Sequence, residues 1–127
     1  MENLLSQIQF NADGLVVAIA QQHDTKEVLM LAWMNREAIE ETLKTGQVCY
    51  YSRSRKRLWR KGESSGQAQA LVELQLDCDG DTLLLLVDQS GVACHTGRRQ
   101  CFFRSYKNGE LIENQPVLVA PEKLYRE

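Results

Sequence analysis

Apolar runs in this chain are short, and nearly all have the residue types of strands rather than the period of a helix. "GLVVAIAQQ", from Gly14, is rich in β-branched residues. "HDTKE" supplies turn residues and "EVLMLAWM" returns, which predicts a hairpin over residues 14–34. "QVCYYS", "AQALVELQLDCD", "TLLLLVDQ" and "CFFRSY" read as further strands, with turns at Gly80 and at "KNGE". Only "NREAIEETLKTG" carries the marks of a helix. Asn35 caps it, Glu37 lies in the first turn, Lys44 lies near the end and Gly46 takes the left-handed stop, with Ala38, Ile39 and Leu43 as the apolar side. The pattern predicts a mostly β (α+β) fold, largely antiparallel, with one clear helix. At 127 residues the chain has the size of one domain, 1–127. A domain that long buries roughly two thirds of its unfolded surface.

No apolar run approaches the ~18 residues that span a bilayer. The start, "MENLLSQIQF", lacks a basic stretch followed by an apolar one, so no signal peptide and no membrane partner are expected. A cytoplasmic protein is the expectation, and its four cysteines then serve as thiols, metal ligands or catalysts rather than disulfides. A net charge of −2 gives no general field for nucleic acid. The charge is uneven, however: six of the fifteen basic residues lie between Arg53 and Lys61.

Those residues belong to "RSRKRLWRKGESSGQ", 53–67, which breaks the strand period and reads as a long loop. Loops of that length in a small domain are uncommon and often functional. The basic run is either an anion site or a solvated face, and composition does not choose. "SGVACHTG", 90–97, is a second irregular stretch with two glycines.

"DCDGD", 77–81, sets one cysteine among three aspartates. If extended, it points Asp77, Asp79 and Asp81 to one face and Cys78 to the other, although a bend at Gly80 would re-aim Asp81. Three carboxylates on one face call for a hard cation such as magnesium; the competing reading is a solvated acidic turn. Cys78, Cys94 and Cys101 lack the paired spacing of structural zinc modules. Three thiolates without a fourth protein ligand leave a zinc position open, whereas buried cysteines in strands are the alternative. Cys49, in "VCYY", belongs to the core, and His23 to a surface turn. His95 follows Cys94 directly. Neighbours in an extended chain point apart, so His95 reads as a general base rather than a ligand.

Taken together, "MLAWMN" at 30–35, "SRSRKRLWRKGESSG" at 52–66, "DCDGD" at 77–81 and "SGVACHTGRRQCFFR" at 90–104 resemble the phosphoribosyl-AMP cyclohydrolase family of histidine biosynthesis. The resemblance spans the centre of the chain and most of its length. It implies an antiparallel β pseudobarrel capped by a helix. It also implies zinc, one per subunit, on Cys78, Cys94 and Cys101, magnesium on Asp77, Asp79 and Asp81, and a homodimer whose zinc ligands come from both subunits. The implied substrate is an adenine nucleotide carrying a second phosphoribosyl group on nitrogen 1. Water adds at carbon 6 and the bond from carbon 6 to nitrogen 1 breaks. His95 is then the expected carrier of protons.

Two phosphates need partners in such a site. Arg53, Arg55 and Lys61, with the hydroxyl and backbone donors of Ser64, Ser65 and Gly66, are the candidates. Trp59 either stacks on the base or anchors the loop. Arg98 and Arg99 either complete the anion site or are solvated. A zinc-and-RNA module, a purely structural zinc dimer and a nucleobase deaminase are the rival readings. The H-x-E and P-C-x-x-C signature of the deaminases is absent.

Overall fold

The computed structural model describes residues 1–124; the last three residues of the expected domain, 125–127, lie outside the described residues. Asn35 ends one strand and starts the principal helix, because its side chain accepts from the Ala38 amide while its own backbone stays extended. Gly46, at φ 76°, closes the other end. In chain order the elements are α1 (Glu2–Leu5), β1 (Val16–Gln22), β2 (Val28–Met34), α2 (Arg36–Thr45), β3 (Cys49–Ser52), β4 (Arg57–Arg60), β5 (Gln69–Leu76), β6 (Thr82–Gln89), β7 (Arg104–Lys107), β8 (Glu110–Glu113) and α3 (Pro121–Leu124).

The expected hairpin forms, with β1 antiparallel to β2. It belongs to a four-stranded sheet in the order β2-β1-β6-β5, and β1 runs parallel to β6. The sheet is therefore mixed rather than simply antiparallel. β1 and β6 occupy its middle, where pairing on both edges suits the near-continuous apolar runs "VVAIA" and "LLLLV". β3–β4 and β7–β8 form separate two-stranded hairpins. Among the described residues no closed barrel is found. Between the segment leading into β3 and the main sheet the only bridge among the described residues is an isolated one, Gln47 to Ala70, rather than a continuous ladder.

Two strand boundaries also depart from expectation. Arg57–Arg60 is a strand paired with Cys49–Ser52, so the stretch 53–67 is not all loop. β4 is largely exposed on both faces and so shows no apolar alternation. "CFFRSY" enters its ladder only at Arg104. The turn after it, with Asn108 at φ 53° and Gly109 at φ 78°, has the doubly positive backbone of a tight hairpin.

One sheet face carries the core. Val16, Ala18, Ala20, Met30, Met34, Leu83, Leu85 and Val87 meet Ala38 and Ile39 of α2, with Cys49 and Tyr50 of β3. Thr42 joins that buried side, and its hydroxyl oxygen accepts from the Cys49 amide at 2.9 Å, tying the helix to β3. Leu43, expected on the same side, is half-buried. Ile39 has no exposed surface. Ile39→Ala is expected to lower unfolding stability by about 2–5 kcal/mol, read from the denaturant midpoint.

Candidate active site

The acidic cluster is made by a turn, not by strand alternation. β5 ends at Leu76 and β6 begins at Thr82, and the Asp77 amide donates to the Thr82 carbonyl at 3.0 Å. Gly80 sits at φ 77°, and a Cβ there would lie 2.5 Å from the Gln7 carbonyl oxygen. Only glycine lets the N-terminal segment cross at that point, where the Gln9 amide donates to the Gly80 carbonyl at 2.7 Å. The turn brings oxygens of Asp77, Asp79 and Asp81 within 4.8 Å of one another, all of them exposed.

The electrostatics of the turn follow from that crowding. Slight desolvation works against it, but amides of Thr82 and Asp81 hold the Asp77 carboxyl below its usual range. Asp79 is pushed upward by its hydrogen bond to Asp81 and by repulsion from Asp77 and Asp81. Among the described residues no lysine or arginine forms an ion pair with the three. An all-oxygen, acidic, uncompensated set fits a hard divalent cation.

Cys78 lies exposed on the same turn. Cys94 and Cys101 lie elsewhere, after β6 has run the length of the sheet. The loop 90–99 folds back on itself, with the amides of Ala93 and Cys94 donating to the carbonyls of Arg99 and Arg98. The Cys101 amide donates to Leu29 of β2 at 2.7 Å. Cys94 is buried, and its sulfur accepts from the Thr96 hydroxyl at 3.0 Å. Burial, together with the neighbouring Cys94 thiol, pushes the Cys101 thiol up to about 12. Lys61, only 8% exposed, is drawn below the ordinary amine range by burial, and Cys101 and Cys94 oppose that shift. A thiol pair, Cys94 buried and Cys101 half-buried, beside an ammonium suits a soft or borderline cation such as zinc, which binds thiolates and releases their protons. This chain alone supplies two of the three expected thiols at that place; Cys78 does not join them.

Beside the pair opens a cleft of about 920 Å³. Arg55, Trp59, Lys61, Ser64, Ser65 and His95, all expected from the sequence, line it together. His95 is exposed at its edge. Trp59 does two things at once: its ring packs on Tyr50 with centroids 5.4 Å apart, and it remains part of the cleft wall.

The other candidates lie apart. Arg53 stacks over Trp33 at 4.8 Å and lines a smaller cavity with Asp13 and Lys56. Gly66 is exposed, donates its amide to Gly62 and does not line the cleft. Arg98 donates to the Gln115 carbonyl at 3.0 Å and to Glu113 at 2.6 Å, with its guanidinium over Phe103. Arg99 pairs with Glu27 at 3.4 Å and donates to the carbonyls of Gln89 and Gly91. Both arginines bind their own chain. Sequence reasoning passed over Trp33, Tyr51 and Arg57 in the cleft wall, and the Thr96 hydroxyl on Cys94. Arg57 lay within the basic run, whereas Trp33 looked like an ordinary strand residue.

A cleft of this volume, walled by tryptophan and cations with a histidine next to the buried Cys94, has the make-up of an enzyme site for a small anionic substrate. Residues 30–103 match the family model described as phosphoribosyl-AMP cyclohydrolase. Curated proteins named phosphoribosyl-AMP cyclohydrolase are similar along nearly the whole chain. That of Halorhodospira halophila is 66% identical, covering 96% of this chain and 86% of its own. That of Granulibacter bethesdensis is 66% identical over 98% of both. That of Alkalilimnicola ehrlichii is 68% identical over 94% of this chain and 81% of its own. The chain belongs to the phosphoribosyl-AMP cyclohydrolase family.

Proposed function

We propose that this chain hydrolyses the adenine ring of phosphoribosyl-AMP, in the cytoplasm, as a homodimer with zinc and magnesium. The observation that carries the reading is the shared cleft. It places His95, next to the buried Cys94, on one wall system with Arg55, Lys61, Ser64, Ser65 and Trp59. Water adds at carbon 6 and the bond to nitrogen 1 breaks, leaving a phosphoribosylformimino imidazole carboxamide ribotide. Zinc, when held by Cys94, Cys101 and a Cys78, supplies the Lewis acidity that makes water nucleophilic near neutral pH. Magnesium, when held by Asp77, Asp79 and Asp81, supplies positive charge where a doubly phosphorylated substrate meets an acidic turn.

The chain's own groups do the rest. His95 takes a proton from the attacking water and returns one to the departing nitrogen. Trp59 offers a face to the base. Arg55 and the hydroxyls of Ser64 and Ser65 hold one phosphate, and Arg53, at the neighbouring cavity, takes the other. Lys61 balances the charge of the thiolates beside it. Arg55→Ala is expected to raise KM by about tenfold or more with kcat little changed, since a phosphate contact is equal in ground and transition states. Steady-state kinetics on phosphoribosyl-AMP check this.

The dimer is argued from reach and from uncovered surface. Cys78 and Cys94 flank opposite ends of the eight-residue strand β6, roughly 25 Å of extended chain. One ion cannot touch both sulfurs within one copy, so a second copy brings its Cys78 turn to the Cys94–Cys101 pair. The sheet face opposite the core supports this, because it carries Val17, Ile19, Leu31 and Leu84 side by side, three of them half-buried and Leu31 exposed in a single copy. Leu31 there is 49% exposed. Leu31→Glu is expected to shift the protein to monomers in sedimentation while leaving each copy folded, and zinc retention falls with the dimer. Reduced thiols, and hence this zinc site, suit the cytoplasm.

Turnover of phosphoribosyl-AMP, followed by absorbance before and after chelation with zinc and magnesium restored in turn, tests the proposal. Activity lost on chelation and recovered on add-back supports it. No ring opening with either metal, or release of ammonia, contradicts it.

A further inference from the structure

The loop that carries Cys94 and His95 leaves β6 with no ladder to place it. The Arg99 guanidinium holds its start from outside, on the Gln89 and Gly91 carbonyls, and a buried line of amides holds it from within. Gln89, the last residue of β6, donates from its side-chain nitrogen to the Ser90 carbonyl at 2.8 Å and to the Gln67 carbonyl at 3.0 Å. Its side-chain oxygen accepts from Gln69 at 2.8 Å, and the Gln69 oxygen accepts from the Tyr50 hydroxyl at 2.7 Å. Its backbone amide donates to Gln22 at 2.9 Å. Tyr50, Gln69, Gln22 and Gln89 are all buried. Next along the loop, the Gln67 side-chain oxygen accepts from the Val92 amide at 2.9 Å. A Cβ on Gly91 would lie 1.7 Å from that oxygen, so glycine is what admits it.

A core of this size gains more from apolar side chains than from three buried amides and a phenol, unless their geometry is needed. Here the amides end on backbone carbonyls and an amide of the loop, not on one another alone. At the far end Tyr50 packs on Trp59 in the cleft wall. The line thus joins the wall that faces the base to the root of the Cys94–His95 loop. We propose that Gln89, oriented by Gln69 and Tyr50 and extended by Gln67, is the positioning residue that sets the distance between the thiol pair with His95 and the rest of the cleft. The claim rests on the reading of that loop as the reactive one.

The test uses Gln89→Met, which keeps the length of the side chain and removes its donors and acceptor, in the full chain and well below its melting temperature. Amide hydrogen exchange of the metal-free protein is measured at Val92, Ala93 and Cys94, with zinc affinity by chelator competition and kcat on phosphoribosyl-AMP. Exchange of the three loop amides is expected to rise at least about tenfold while β1 amides keep their protection. Zinc affinity is expected to fall about 10–100-fold, the usual effect of losing a group that orients a ligand. A lower melting temperature with wild-type loop exchange, zinc affinity and kcat overturns the proposal. If Gln89→Met does not fold, Gln67→Met replaces it. There, loss of protection at Val92 with weakened zinc binding supports the claim, and unchanged exchange overturns it. The exchange measurement needs neither metal nor substrate, so it separates this claim from the catalytic one. Wild-type protein without zinc binding or turnover sinks the enzyme reading alone, whereas unchanged loop exchange beside normal wild-type turnover sinks only the positioning role.

Discussion

His95→Ala is expected to lower kcat by about 10²–10⁴-fold, the range that one well-placed general acid–base group supplies. Zinc content and melting temperature are expected to stay at wild-type values. The reason is placement: His95 is exposed at the edge of the cleft and lies beside the buried Cys94. Its removal opens no core cavity and breaks no side-chain hydrogen bond among the described residues. The other histidine, His23, lies in the turn between β1 and β2 and does not line the cleft, so no second imidazole takes over. Single-turnover measurements at fixed metal loading check the prediction. Turnover within twofold of wild type removes His95 from the mechanism and leaves the proton traffic to another group.

Cys78→Ser is expected to be nearly as damaging, although Cys78 is an exposed residue on a surface turn. An exposed cysteine with no hydrogen-bond partner among the described residues of its own copy is ordinarily replaceable within about 0.5 kcal/mol of stability. If its thiolate completes the zinc site of a neighbouring copy, the substitution removes a direct ligand. Zinc affinity then falls by more than the ~100-fold that follows loss of a ligand's supporting partner, and kcat falls with zinc occupancy. The combination of unchanged folding stability and lost metal marks a residue that serves an interface. Atomic absorption and thermal denaturation on the same sample read both quantities.

What could be read from the sequence was local. The caps Asn35 and Gly46 bound α2 because cap chemistry is a property of a few neighbouring residues. The β1–β2 hairpin and β6 were readable because their apolar runs end at turn residues. The parallel pairing of β1 with β6 was not readable, since it depends on a long connection whose path leaves no mark on either strand. β4 was hidden because a strand exposed on both faces carries no alternation.

The site divides in the same way. The residues of the cleft were visible as a cluster of basic and hydroxyl side chains, but Arg98 and Arg99 showed nothing of their partners at Gln115, Glu113 and Glu27. The aspartates do converge, yet through the bend at Gly80 rather than through the two-residue period of a strand. The buried glutamines left no signal at all, because an amide in an apolar strand looks like a surface residue until its partners are known.

Mixing two inactive variants tests the shared zinc site most directly. Cys78→Ser and Cys94→Ser proteins are prepared separately, unfolded together in equal amounts and refolded with zinc. Half of the dimers are then mixed, and each mixed dimer has one site with Cys78 from one copy and Cys94 and Cys101 from the other. Activity is expected to return to about one quarter of wild type. If the mixture stays as inactive as its two components, each copy holds its own metal and the account of a site built between copies is wrong.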